Sequence, residues 1–253
     1  MILFIRLNQT NEIDKNNKPK RGRVAFKNRE EAGRQLAERL IRYRDDQTAV
    51  ILALPRGGVA VGYQLSLRLH LPLDVFITRK LGAPDNPEYA LGAVGETGTI
   101  YLNPEAMAAY GLSRADIEEL VQPQQREIAR RQSMYRRGRQ LPTLTDRIVI
   151  LVDDGIATGS TFFASVQSIR HLKPRRLIGA IPVGPVDTIR EARVQVDELV
   201  VLATPDPFWA VGHHYMDFAQ VSDHNVVEYL NLAEESQLEW KERTHSSTAS
   251  PSQ

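Results

Sequence analysis

The stretch Ile148-Val-Ile-Leu-Val-Asp153-Asp154-Gly155-Ile156-Ala157-Thr158-Gly159-Ser160-Thr161 decides the fold class. Ile148–Val152 is an unbroken apolar run, mostly β-branched, and reads as a strand buried on both faces, as in a parallel sheet. It ends in two adjacent carboxylates, Asp153 and Asp154. A loop of small residues follows, and then an apolar-periodic segment, Phe162 to Leu172, which Pro174 stops. Gly155 and Gly159 allow a tight turn and close backbone approach. Thr158, Ser160 and Thr161 supply hydroxyls, and the helix start adds unpaired N–H groups at the positive end of the helix dipole. These groups suit a phosphate monoester. The carboxylates sit at the carboxyl end of a strand, where open α/β sheets bind ligands, and they suit sugar hydroxyls or a hard cation. The stretch therefore reads as a sugar-phosphate site.

Working outward, Ala49–Leu54 is a second buried-type strand, followed by Pro55-Arg56-Gly57-Gly58 and a helix from Val59 to about Leu69. Adjacent glycines at a helix start present N–H groups to an anion, and Arg56 adds charge. Asp74–Thr78 reads as a third strand, with Arg79 and Lys80 at its carboxyl end. Ala83–Asn103 is a long polar connection, with a hairpin predicted between Ala90–Gly95 and Ile100–Leu102. Asn28 is placed to cap a helix, and Ser113–Asp116 forms a capping box for another that runs toward Arg137, which Pro123 is expected to kink or split. Six arginines between Arg126 and Arg139 read as a solvated or subunit-facing helix. Arg176–Val183 and Glu198–Ala203 complete the strands, separated by a helix around Asp187–Val194. Repeated βα units imply a mainly parallel, five-stranded, doubly wound sheet in an α/β fold. Aromatic residues then bunch between Thr204 and Phe218.

The 253 residues suffice for one α/β domain with additions. A net charge of +1 gives no global field for nucleic acid, and the absence of cysteine excludes disulfides and thiolate chemistry. No apolar run approaches a membrane span, and the opening Met-Ile-Leu-Phe-Ile is too short for a signal segment, so a cytoplasmic protein is expected. Residues 1–24 are expected to form a flexible leader, 25–241 the domain and 242–253 a disordered tail.

Val149–Thr161 resembles the phosphoribosyl diphosphate (PRPP) signature of type I phosphoribosyltransferases: apolar residues, two acids, two variable residues, a small residue, then Thr, Gly and hydroxyl residues. Softer similarities cover about residues 49–230. The resemblance implies transfer of ribose 5-phosphate from PRPP to a nucleobase-like nitrogen with release of diphosphate, Mg²⁺ as cofactor, and a homodimer or higher homo-oligomer. It implies that Asp153 and Asp154 hold the ribose hydroxyls and that Ala157, Thr158, Gly159, Ser160 and Thr161 hold the 5-phosphate. Arg56, Gly57, Gly58, Arg79 and Lys80 would compensate the diphosphate. The 83–103 segment is similar to the family's mobile catalytic loop. The 204–230 segment resembles the hood of purine enzymes, with Phe208, Trp209 and Val211 against the base and Asp217 near the metal. Hypoxanthine-guanine enzymes carry Asp where Ala157 stands, so Glu88 or Glu96 is the substitute candidate for acid–base work. A PRPP-sensing regulator and a phosphoribosyl hydrolase are the alternatives.

Overall fold

The computed structural model describes residues 25–86 and 89–248. The predicted strands at 49 and 148 are present as β1 (Ala49–Ala53) and β6 (Ile148–Val152), every residue of both buried. They pair in parallel, Ala49 with Ile148 through Ala53 with Val152. Adding β2 (Leu73–Val75), β7 (Arg176–Val183) and β8 (Glu198–Ala203) gives a five-stranded parallel sheet in the order β2-β1-β6-β7-β8. The order reverses between β1 and β6. At such a switch point the loops leaving the two strands diverge to opposite faces and open a crevice.

Helices cover both faces. On one side α1 (Arg29–Arg39) and α2 (Gly57–Leu69) bury Leu36, Leu40, Val61, Leu65 and Leu69 against Ile51 and Ile150. On the other, α5 (Ser160–His171) and α6 (Val186–Gln195) bury Phe162, Val166, Ile169 and Ile189 against Val149 and Leu151. Asn28 caps α1 through the Glu31 amide, 3.0 Å away.

The predicted third strand divides. The chain leaves the main sheet after Val75, passes through the fully buried Phe76 and Ile77, and enters a second sheet as β3 (Thr78–Gly82). There β3 pairs antiparallel with β4 (Ala90–Gly95), and β4 with β5 (Ile100–Leu102). The predicted hairpin is thus present, but as a packed sheet rather than a free loop, with Leu91, Ala93 and Val94 buried.

After the short helix α3 (Pro104–Tyr110), α4 (Arg114–Arg136) runs as one helix through Pro123. The Ser113–Asp116 capping box is formed, and Ile117, Val121, Ile128 and Tyr135 bury one face. That packing offsets the roughly 3 kcal/mol that an interior proline costs, so the helix is not split at Pro123. α7 (Asp223–Thr248) also runs past residue 242, where a tail was expected to begin. The leader at 1–24 and Glu88 lie outside the described residues, as do 249–253. Among the described residues no helix is long and apolar enough to cross a membrane.

Candidate active site

The carboxyl ends of β1 and β6 lie side by side, which brings the Pro55–Gly58 turn against Asp153 and Asp154. The Pro55–Arg56 peptide is cis. A Cβ on Gly57 would come within 1.9 Å of Asp154 Oδ2, so only glycine lets the α2 start approach the acidic pair this closely. Gly159, the N-cap of α5, has φ +75°, a conformation glycine adopts without strain.

The two carboxylates have different surroundings. Asp154 Oδ2 accepts from Arg29 Nε at 2.7 Å, and its backbone oxygen accepts from the Tyr215 hydroxyl at 2.6 Å. Arg29 also donates to the Ala219 carbonyl at 2.7 Å and lies 3.7 Å above the Phe218 ring. Asp153 Oδ1 accepts from the Asp154 amide at 2.9 Å. Burial pushes both carboxyls above the ordinary range. The neighbouring charge of Asp154 raises Asp153 further, whereas Arg29 works against the rise at Asp154.

Two adjoining cavities open here. One, about 230 Å³, is lined by Asp153, Lys80 and the loop Gly155–Phe162, including Ala157, Thr158, Gly159, Ser160 and Thr161. Gly159, the N-cap of α5, lines it together with Thr158 and Ser160, whose hydroxyl oxygens lie 3.1 Å apart. The second, about 510 Å³, is lined by Arg79, Lys80, Gln124, Arg131, Pro55 and Thr161. Lys80 and Thr161 belong to both walls. Arg56, on the Pro55–Gly58 turn, lies 3.8 Å from Asp223 at the start of α7.

The hood also reaches the loop. Val211, in a 3-10 turn over Val211–His214, sits where a Cβ on Gly155 would come within 2.5 Å of it. Phe208 stacks on His214 at 5.1 Å between centroids, and Trp209 stands 78% exposed.

Two predicted residues are held elsewhere. Glu96 is 1% exposed, ion-paired with Arg136, and accepts from the Ile77 amide at 2.9 Å and Gln132 at 3.1 Å. It lines neither of these cavities but a third, of about 370 Å³, with Thr97, Gln132 and Arg136. Asp217 accepts from the Ala219 amide at 3.0 Å and lines a separate cavity with Asn28 and Glu30. Among the described residues no three His, Cys, Asp or Glu side chains are arranged to hold a metal ion, at Asp217 or elsewhere. Sequence reading missed Arg29, which carries no local signal, and Arg131, whose signal was the arginine run of α4.

The chain matches the phosphoribosyl transferase domain family over residues 25–215. It belongs to the phosphoribosyl transferase family. Two Mycobacterium tuberculosis proteins, from strains CDC 1551 / Oshkosh and ATCC 25618 / H37Rv, both provisionally named as phosphoribosyl transferases, are 43% identical to it over 208 residues. The match covers 82% of this chain and 47% of theirs, so the chain spans about half the length of these curated relatives. The crystal structure of the TT1426 protein from Thermus thermophilus is similar with a TM-score of 0.70 at 40% identity, covering 81% of this chain and 97% of that one.

Proposed function

We propose that this chain transfers ribose 5-phosphate from PRPP to a nitrogen acceptor and releases diphosphate. One observation carries the reading. A hydroxyl-rich cavity at a helix N-terminus adjoins an arginine-lined cavity, and an acidic strand end stands at the first. PRPP has the matching order of parts: a 5-phosphate, a ribose with two hydroxyls, and a diphosphate.

In this reading Thr158–Thr161 and the α5 amides hold the 5-phosphate. Asp153 accepts from a ribose hydroxyl. Asp154, fixed by Arg29, lines neither cavity and acts on the developing oxocarbenium through its partly compensated charge. Arg56, Arg79 and Lys80 stabilise the departing diphosphate. Trp209, exposed beside Val211, offers a face on which a planar acceptor stacks.

Mg²⁺ fits this site as a partner of the substrate. Asp153 supplies a hard oxygen donor, the chain builds no three-carboxylate cage among the described residues, and phosphate and hydroxyl oxygens complete such shells. When bound, the ion offsets negative charge on the diphosphate.

The test is incubation with PRPP, Mg²⁺ and a panel of nucleobases while diphosphate release is followed. Base-dependent release supports transfer. Release without a base would make the chain a hydrolase, and binding without turnover a PRPP-sensing regulator.

A further inference from the structure

α4 supplies three residues to the cationic cavity: Leu120, Gln124 and Arg131. At about 100° per residue these positions fall within roughly 40° of one another around the helix, so a single face provides all three. Arg131 is 12% exposed, and its Nε donates to Glu127 Oε1 at 2.7 Å. Glu127 also accepts two bonds from Arg130, at 2.7 and 3.0 Å. Arg130 reaches Asp223 at 3.0 Å, and Asp223 lies 3.8 Å from Arg56. Arg79 Nε donates to the neutral amide oxygen of Gln124 at 3.0 Å.

Three guanidinium groups, of Arg56, Arg130 and Arg131, therefore share two carboxylates, Glu127 and Asp223, and a fourth, of Arg79, is held beside them by a neutral amide. Burial, followed by the charges of Arg131 and Arg56, lowers the pKa of Arg79, which marks the repulsion among them. A half-buried excess of positive charge is relieved by a multivalent anion, and paired guanidinium forks match phosphate oxygens.

We propose that Arg131 is a diphosphate-binding residue, and that α4 forms a wall of the diphosphate site with Arg131 and Arg79 as its paired cations. The assignment of the anion to a PRPP donor rests on the transfer reading above. The anion site itself stands on the charge arrangement.

Calorimetric titrations separate the two. Inorganic diphosphate, PRPP and ribose 5-phosphate, each with Mg²⁺, are titrated into the wild-type chain, Arg131→Gln, Arg131→Lys and Arg126→Gln, the last an exposed arginine of the same helix. Arg131→Gln should weaken diphosphate and PRPP by about 10- to 100-fold, the worth of a charge-assisted hydrogen bond. Arg131→Lys should recover part of that loss, and Arg126→Gln should bind as wild type. Ribose 5-phosphate should bind equally to all four proteins. Unchanged diphosphate affinity in Arg131→Gln overturns the proposal. An equal loss for ribose 5-phosphate also overturns it, because the residue would then merely support the fold. If the wild type binds diphosphate through Arg131 but not PRPP, the transfer reading fails and this site stands. If it does not bind diphosphate, this site fails.

Discussion

Asp153 carries the sharpest conflict at the site. It lies half-buried beside another carboxylate, and Arg29 bonds Asp154 rather than Asp153. Burial, then the charge of Asp154, raises its folded pKa above the unfolded value of about 3.9. The folded state therefore holds the proton more tightly. That favours folding below the unfolded pKa, and the advantage is lost as pH rises through the folded value. At pH 7 the raised pKa of Asp153 is therefore a cost to folding. Asp153→Asn should raise the Tm of the ligand-free protein at pH 7 by a few degrees, since about 1 kcal/mol moves Tm roughly 2–4 °C in a domain of this size. The gain should vanish near pH 3, and ribose 5-phosphate binding should weaken. Melting curves from pH 3 to 8 check it, and a lower Tm at pH 7 would show that the charge supports the fold. The acidic pair and its loop were legible because chemistry and spacing are adjacent in the chain. Arg29 was not, because it meets Asp154 across 125 residues and only the packing of α1 brings it there.

Among the elements, the strands with β-branched runs, β1, β6, β7 and β8, were legible almost to the residue. The break between β2 and β3 was not, because Leu73–Thr78 holds an apolar run in which periodicity sees no change of sheet. What divides it is tertiary: the Phe76 amide still bonds Ala53, while the Ile77 amide bonds the Glu96 carboxylate. Arg136 locks this corner, reaching Asp74 at 3.0 Å, Glu96 and the Val75 carbonyl at 2.6 Å while 3% exposed. Arg136→Met strands two acids, and losing one partner of a buried ion cluster costs about 3–5 kcal/mol. Urea unfolding should register that loss. Glu96→Gln should also destabilise, yet keep turnover in the proposed transfer within about twofold of wild type per folded molecule, because this carboxylate lines neither cavity of the proposed site; a general acid–base would instead lose about 100-fold or more. The second sheet bears on dynamics too. With Leu91, Ala93 and Val94 buried, the β4 amides should exchange slowly without ligand. Fast exchange at 91–94 that PRPP suppresses would restore the mobile-loop expectation instead.

For the whole molecule, the two cavities join parts that the backbone keeps separate. The loop cavity belongs to the main parallel sheet through β6 and α5, whereas the cationic cavity takes its walls from β3 of the small sheet and from α4. Lys80 of β3 and Thr161 of α5 line both, so a ligand in either cavity meets groups of both sheets, and only one that fills both joins the Gly155–Phe162 loop to α4. This predicts a difference between ligands rather than a single shift. At about 100 times its Kd, PRPP with Mg²⁺ should add roughly 2.7 kcal/mol of stability, which raises Tm by about 5–10 °C. Ribose 5-phosphate at the same multiple of its own Kd must give the same free energy, because linkage depends only on saturation. Melting alone therefore cannot reveal the bridge, but local opening can. Amides of α4 around Gln124–Arg131 should gain protection from PRPP and from inorganic diphosphate, whereas ribose 5-phosphate should protect only the start of α5. Hydrogen exchange with each ligand at matched saturation measures this directly. Equal protection of α4 by ribose 5-phosphate would mean that the two sheets already open as one unit and that the donor does not bridge them.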